Sequence, residues 1–248
     1  MNVENIENRA ESLPLVEQIV NPKSISRPIL FMLRTYLTIS VPILLVLLSA
    51  RLVMTPLFLT IEYGRPGFPE DEYGFTREDR LDLAPYALNY LINNADIAYL
   101  GDLTFPDGTP LYNERELQHM EDVQIVTRAA FSFLLIAGLG AIAASFFLWR
   151  NPATRYALRN GLFNGAILTL SLILAITVAA VGAWDFFFTT FHSLFFESGT
   201  WRFLYSDTLI RLFPEQFWFD ASLTIGGLTV VGALVILWAT WRWGKMAA

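Results

Sequence analysis

Apolar residues in this chain lie in four long blocks that are separated by polar segments. The blocks span about Tyr36–Leu59, Ala129–Trp149, Leu162–Trp184 and Ala221–Trp241. Each is close to the ~20 residues that an α-helix needs to cross ~30 Å of hydrocarbon. Because the blocks are continuously apolar and lack a 3.6-residue alternation, they exclude an ordinary soluble domain. The pattern predicts an all-α polytopic membrane protein with four transmembrane helices.

The two long polar segments, 60–128 and 185–220, lie on one side of these spans and predict a small cap. Within the first, we expect a helix over Thr76–Asn93 and a tight turn at Phe105–Gly108. Asn113 has the features of an N-cap, with Glu116 at the third helical position to complete a capping box. No helix-breaking residue follows before Trp149, so this helix is expected to run directly into the second span.

The charges predict the orientation of the spans. Nineteen of the twenty-three carboxylates lie in the two cap segments. Basic residues dominate the opposite side, in positions 1–34, 150–159 and 242–245. The positive-inside rule therefore predicts that both termini are cytoplasmic and the cap extracytoplasmic. We expect a polar cytoplasmic leader over 1–33, without a cleavable signal peptide. A four-helix membrane domain with its cap would span 34–242, followed by a cytoplasmic tail over 243–248.

The composition narrows the chemistry. The chain has 248 residues, no cysteine, two histidines and a formal net charge of −6. The absence of cysteine excludes disulfides, thiolate metal sites and a cysteine nucleophile. Two histidines are too few for a typical histidine-rich zinc site, so we expect no metal and no cofactor. The acidic exterior argues against nucleic-acid binding.

The two histidines, His119 and His192, each lie ten residues beyond an apolar block and on the same side of the membrane. If the helices continue, both lie roughly 15 Å beyond the apolar edge. An unperturbed histidine is the side chain that titrates near neutral pH, so a pair at one interface suits acid–base chemistry. The alternative is that each is a solvated or capping residue. Glu116 and Asp122 share a helix face with His119, which would let a carboxylate orient its imidazole.

Two further features accompany the histidines. Arg51 lies near the outer end of the first span, where it either snorkels to the head groups or binds an anionic or carbonyl oxygen. Fourteen of the thirty-six residues from Trp184 to Phe219 are aromatic. An interfacial aromatic belt needs fewer rings. The excess predicts an apolar, water-poor pocket around His192 that suits lipid chains.

Three blocks of sequence together resemble the bacterial lipoprotein intramolecular transacylase (Lit) family. They are Arg51–Pro69, Leu111–Val123 with its His-Met-x-Asp-Val motif, and Phe191–Phe217 with its Phe-His-x-Leu-Phe-Phe motif. The resemblance covers roughly 34–242, and the stretch Asp71–Asp82 looks longer than in the family. It implies a bacterial cytoplasmic-membrane protein with catalytic histidines at His119 and His192. The supporting or substrate-binding positions that we expect are Arg51, Tyr63, Arg65, Tyr112, Asn113, Glu116, Asp122, Phe195, Phe196 and Glu215.

The resemblance also implies a reaction. The family moves the sn-2 acyl chain of a diacylglyceryl-cysteine lipoprotein onto the α-amine of that cysteine, which gives a lyso-form lipoprotein. The expected partners are a diacylated lipoprotein and membrane lipids, with a larger membrane complex also possible. His119 is our first choice for the base and His192 for the acid, although the sequence leaves the order open. Two alternatives stand beside this one: a non-catalytic accessory or assembly subunit of the same fold, and a lipid or lipoprotein hydrolase.

Overall fold

The computed structural model describes residues 26–197 and 199–246. Most of the expected N-terminal leader and the end of the expected tail lie outside the described residues. The helices that the described ranges contain are α1 (Arg27–Val53), α2 (Pro56–Gly64), α3 (Arg77–Ile92), α4 (Ala98–Gly101), α5 (Glu114–Arg150), α6 (Arg155–Gly182), α7 (Trp184–Phe195), α8 (Thr208–Leu212) and α9 (Glu215–Met246).

Four helices, α1, α5, α6 and α9, are long and apolar enough to cross a membrane, as the four apolar blocks predict. Helix α1 packs against the other three. Within the bundle, the Tyr36 hydroxyl donates a hydrogen bond to the Ala137 carbonyl at 2.8 Å, and the Thr38 hydroxyl donates to Gly161 at 3.2 Å. These bonds satisfy polar groups that lipid cannot. The protein is therefore a helical membrane bundle.

The first span is shorter than its apolar block predicts. Helix α1 ends at Val53, and α2 begins at Pro56 after an extended Thr55 whose side chain accepts from the Phe58 amide. Proline has no backbone N–H and suits the first turn of a new helix. Phe58 and Leu59, which the sequence placed in the membrane, are instead buried in the core of the cap.

The expected depth of His192 requires that the helix of the third span continue to this residue. The structure shows that it does not. Helix α6 ends at Gly182, and Ala183 has a non-helical backbone (φ −156°, ψ 67°). A separate twelve-residue helix, α7, then begins at Trp184 and carries His192. The rise along α6 therefore cannot be used to estimate the depth of this histidine.

The cap is built from α2, α3, α4, α8 and the first turns of α5, around one apolar cluster. The predicted helix is confirmed as α3, with Thr76 and Asn93 as its caps. The predicted turn is confirmed by a single antiparallel bridge between Thr104 and Pro110 and by a positive φ of 84° at Gly108. Local signals of this kind are reliable because they need no distant partner.

Helix α5 connects the cap to the membrane. Its capping box is confirmed: the Asn113 side chain accepts from the Glu116 amide, and the Glu116 carboxylate accepts from the Asn113 amide. The helix then runs unbroken for 37 residues, or roughly 55 Å. A bilayer core takes ~30 Å of this length. The polar first part, up to about Arg128, therefore lies outside the membrane-spanning segment and carries His119.

Candidate active site

His119 lies in the second turn of α5, close to the capping box that fixes the start of the helix. It is 9% exposed. The edges of two phenylalanine rings face it, with Phe196 at 5.1 Å and Phe203 at 5.3 Å between ring centroids. Its Nδ1 atom is buried and has no hydrogen-bond partner in the part of the chain that the structure describes. The imidazole is thus held by aromatic contacts and keeps an unused nitrogen.

His192 lies near the end of α7, and its Nδ1 atom is 2.8 Å from the Phe188 carbonyl oxygen one turn earlier. A carbonyl oxygen only accepts, so Nδ1 carries the proton in this bond. In the neutral ring, Nε2 therefore has the free lone pair. Phe188 and Trp201 pack against the imidazole, with ring centroids 4.1 and 4.8 Å away.

The two imidazoles lie close together although 73 positions separate them in the chain. Their ring centroids are 6.4 Å apart, with planes inclined by 26°. Stacked rings at this distance do not share a hydrogen bond. A reacting group that lies between the two rings can therefore be within hydrogen-bond distance, about 3 Å, of both. Aromatic rings pack around the pair, and the water-poor pocket predicted around His192 stays a prediction.

Burial favours the neutral form of both histidines. It lowers the pKa of His119 to about 4, with a smaller contribution from the nearby His192. Burial also lowers the pKa of His192, while its hydrogen bond to the Phe188 carbonyl acts in the opposite direction. An apolar site disfavours the imidazolium because the charge loses its hydration. Both rings are thus proton acceptors near neutral pH.

Glu116 does not orient His119, contrary to the expectation from helical spacing. One carboxylate oxygen accepts from the Asn113 amide at 2.8 Å and the other from the Leu209 amide at 2.6 Å. Glu116 is 1% exposed, and burial raises its pKa. Its carboxylate therefore joins α5 to α8. Asp122, the second expected candidate, is half-buried and makes no side-chain hydrogen bond within the described residues.

The contacts that the expected oxygen-binding side chains make in this structure lie outside the histidine pair. The Asn113 side chain accepts from the Glu116 amide and donates to Asp207 at 3.1 Å. One guanidinium nitrogen of Arg51 donates to the Met54 carbonyl at 3.2 Å, beyond the end of its own helix. These contacts give Asn113 a capping role and Arg51 a role at the end of α1.

Other expected residues stabilise the cap or lie on its surface. The Tyr63 hydroxyl donates to the Leu212 carbonyl at 2.9 Å, and Arg65 pairs with Glu62 and Asp220. Tyr112 is buried in the cap core, where its hydroxyl has no hydrogen-bond partner among the described residues. The structure brings Phe196 to the histidines, whereas Phe195 and Glu215 are exposed.

The sequence reasoning missed three residues as members of the site: Phe188, Trp201 and Phe203. All three contact a histidine ring. Their aromatic character was visible in the sequence. Phe188 lies one turn before His192 on α7, whereas the places of Trp201 and Phe203 depend on the loop that follows α7. A cavity of about 310 Å³ occurs elsewhere in the cap, lined by residues that include Phe68, Asp71 and Arg80 but neither histidine.

The fold and the site define a four-helix integral membrane protein with two adjacent imidazoles, one buried and one partly buried, beneath a helical cap. The family model described as "Lipoprotein intramolecular transacylase Lit" matches residues 35–218. The match covers well over half of the chain. The chain therefore belongs to the Lit family of lipoprotein intramolecular transacylases.

Relatives and solved structures agree with this assignment. An uncharacterized protein of Aquifex aeolicus (strain VF5) is 31% identical over 180 residues, which is 73% of this chain and 80% of that protein. The in meso structure of the membrane integral Lit from Bacillus cereus superposes with a TM-score of 0.59 at 17% identity, over 90% of this chain and 100% of that one. A histidine-to-arginine variant of that protein gives a TM-score of 0.54 at 16% identity, over 89% and 95% of the two chains. At these identities the structures support the shared fold.

Proposed function

We propose that this protein catalyses intramolecular O-to-N acyl transfer in a bacterial lipoprotein. The acyl chain leaves the sn-2 oxygen of the diacylglyceryl group and joins the α-amine of the N-terminal cysteine, giving the lyso form. The observation that carries the proposal is the histidine pair: two imidazoles 6.4 Å apart, in an aromatic pocket, on a chain of this family. Both ends of the reaction belong to one substrate molecule, so the enzyme needs no separate acyl donor.

The first task of the site is to bring the amine nitrogen and the ester carbonyl carbon together. Reacting atoms held at ~3–3.5 Å gain a large rate advantage from proximity. The apolar rings around His119 and His192 suit the acyl chain and exclude water. Exclusion of water also favours transfer over hydrolysis, since water would otherwise compete with the amine for the ester.

The second task is to move one proton from nitrogen to oxygen. The amine attacks, the new C–N bond forms, the C–O bond to the glyceryl group breaks, and the amine proton ends on the glyceryl oxygen. A free α-amine has a pKa of about 8, so its ammonium form must first lose a proton. A pair of imidazoles can accept this proton and return it to the glyceryl oxygen, and no enzyme nucleophile is needed.

The hydrogen bonding favours His192 as the base, the reverse of our first assignment from sequence. The Phe188 carbonyl holds the proton on Nδ1 and stabilises the imidazolium that forms, which leaves Nε2 to accept from the amine. With a pKa of about 4, His119 would accept an ammonium proton against a difference of about 4 pKa units, or ~5 kcal/mol. The same low pKa makes His119 a strong acid once it holds a proton. It takes over the amine proton from His192 as the tetrahedral intermediate collapses and delivers it to the glyceryl oxygen, so that both rings end neutral.

For this reaction the cap must face the side of the membrane on which lipoproteins mature. The charge asymmetry supports that orientation, with the termini cytoplasmic and residues 60–128 and 185–220 outside. Residues 34–242 would then form the membrane domain with its cap. In this arrangement Tyr63, Arg65 and Glu116 stabilise the cap and do not contact the reacting atoms.

Purified protein and a synthetic diacylglyceryl lipopeptide test the proposal. We expect a product of unchanged mass that carries an N-acyl group and a monoacylglyceryl thioether, identified by fragmentation in the mass spectrometer. Release of free fatty acid would instead indicate a lipid or lipoprotein hydrolase. An unreacted lipopeptide with a free amine would contradict acyl transfer and favour a non-catalytic accessory role.

A further inference from the structure

We infer that Trp201 is a catalytic residue whose indole N–H donates a hydrogen bond to the acyl carbonyl oxygen as the amine attacks. The inference rests on the proposed acyl transfer. In that step the carbonyl oxygen gains negative charge, and a fixed donor aimed at that charge lowers the barrier. The donor keeps its proton throughout, so the balance of the reaction is unchanged.

The indole nitrogen of Trp201 is buried and has no hydrogen-bond partner among residues 26–197 and 199–246. The residue is 8% exposed. A buried tryptophan N–H normally finds an acceptor, and a donor left without one costs about 1–3 kcal/mol. A buried donor without an acceptor indicates either a functional role or a partner that binds there. An acceptor supplied by the substrate is the explanation that its surroundings favour.

Those surroundings are the histidine pair. The Trp201 ring lies 4.8 Å from that of His192, which is 6.4 Å from His119. The reacting ester must lie against these imidazoles for them to move the proton from the amine to the glyceryl oxygen. An ester carbonyl held there comes within reach of the indole edge. Of the donors expected from sequence, Asn113 caps α5 and donates to Asp207, and Arg51 donates through one guanidinium nitrogen to the Met54 carbonyl.

The loop that carries Trp201 is tied to α5 through Asp207. Gly199 has a φ of 97°, which favours glycine. Further along, the carboxylate of Asp207 accepts from the Leu204 amide at 2.8 Å and from Arg115 of α5 at 2.8 Å. These bonds tie the loop to the helix that carries His119. A donor held in this way needs little reorganisation during the reaction.

The acyl chain can reach the indole from the side of α7. None of the residues of α7 is buried, although its apolar side chains form one face of the aromatic pocket. The helix is joined to α6 through the non-helical Ala183. A small outward displacement of α7 would admit the ester between the rings and leave Trp201 in place.

Replacement of the N–H alone provides the sharpest test. Benzothienylalanine keeps the size and shape of tryptophan but has sulfur in place of the N–H. Incorporated at position 201, it should lower kcat for the diacylglyceryl lipopeptide by about 10²–10³-fold with little change in KM. The same replacement at Trp218, which is exposed, is the matched control and should leave kcat unchanged. Turnover at position 201 within threefold of the unmodified protein would overturn the inference.

A second measurement reads the hydrogen bond directly. A lipopeptide with a phosphonate in place of the sn-2 ester mimics the tetrahedral intermediate. In protein labelled with ¹⁵N at the tryptophan indoles, its addition should shift the Trp201 N–H signal downfield, and the Trp201→Phe variant should bind it more weakly. An unshifted Trp201 signal at saturation would overturn the inference while leaving acyl transfer standing. No turnover by the unmodified protein would overturn both proposals.

Discussion

The carboxylate of Glu116 accepts a hydrogen bond from the backbone amide of Leu209 at 2.6 Å, across 93 positions of the chain. The same carboxylate completes the capping box at the start of α5. It therefore joins the helix that carries His119 to the end of the loop that carries Trp201. The relationship makes Glu116 a structural residue of the site.

Replacement of Glu116 by alanine should destabilise the protein. The change removes one half of the capping box and leaves the buried Leu209 amide without an acceptor, with a combined cost of about 2–4 kcal/mol. Thermal unfolding in detergent should show a clearly lower midpoint. Glu114→Ala is the matched control, because Glu114 is an exposed carboxylate in the same turn. Equal midpoints for the two variants would contradict the role assigned to Glu116.

The structure also explains which parts of the fold could be predicted from the sequence. Asn113 and Glu116 predicted the start of α5 because a capping box depends on residues three positions apart. The end of the first span was misplaced because Phe58 and Leu59 are as apolar as a lipid-facing segment. Only the tertiary fold distinguishes burial in the cap from exposure to lipid.

The site was predicted only in part for a similar reason. His119 and His192 were recognisable because they are the two histidines of the chain and both lie beside apolar blocks. The position of Glu116 one turn before His119 suggested contact, but its carboxylate instead meets Leu209. Trp201 and Phe203 reach the histidines through an irregular loop, whose path no periodic pattern encodes.

Gly165 should be intolerant of substitution by alanine. A Cβ atom at this position of α6 would lie 2.7 Å from the Cβ of Val41 on α1, which is attached directly to the backbone and cannot move aside. We expect Gly165→Ala to cost about 1–3 kcal/mol through overpacking. Unfolding in SDS titrations measures the effect. At Gly226, a Cβ meets nothing within 4 Å, so Gly226→Ala should unfold at an SDS fraction no lower than wild type. Indistinguishable unfolding by the two variants would contradict this packing.

His119 should titrate with a pKa of about 4, because burial disfavours its imidazolium. The unfolded chain protonates this ring near pH 6.5. As pH falls from about 6.5 towards 4, the unfolded state takes up the proton first, and the folded state loses stability over that window. NMR of ¹³Cε1-labelled histidine measures the titration, and the His192→Ala variant assigns the signal. A His119 pKa at or above 6.5 would contradict the buried site.

The cap should be accessible from outside the cell. The chain has no cysteine, so single cysteines report without background. A cysteine at Thr109, exposed in the cap, should react with an impermeant maleimide in intact cells. One at Ala153, exposed in the turn between α5 and α6, should react only after the cells are opened. The reverse pattern would place the histidine pair on the cytoplasmic side.

The central claim is that His119 and His192 together transfer the acyl chain. Its most direct test is mass spectrometry of the N-terminal peptide of a tagged lipoprotein from a host that has no transacylase of its own. Wild-type protein should convert the peptide to the N-acyl, S-monoacylglyceryl form. General acid–base groups contribute ~10²–10⁴-fold each, so either histidine-to-alanine variant, and the double variant, should lose this product at unchanged membrane abundance. Equal conversion by wild type and the double variant, or a diacylated peptide with a free amine in both, would contradict the account.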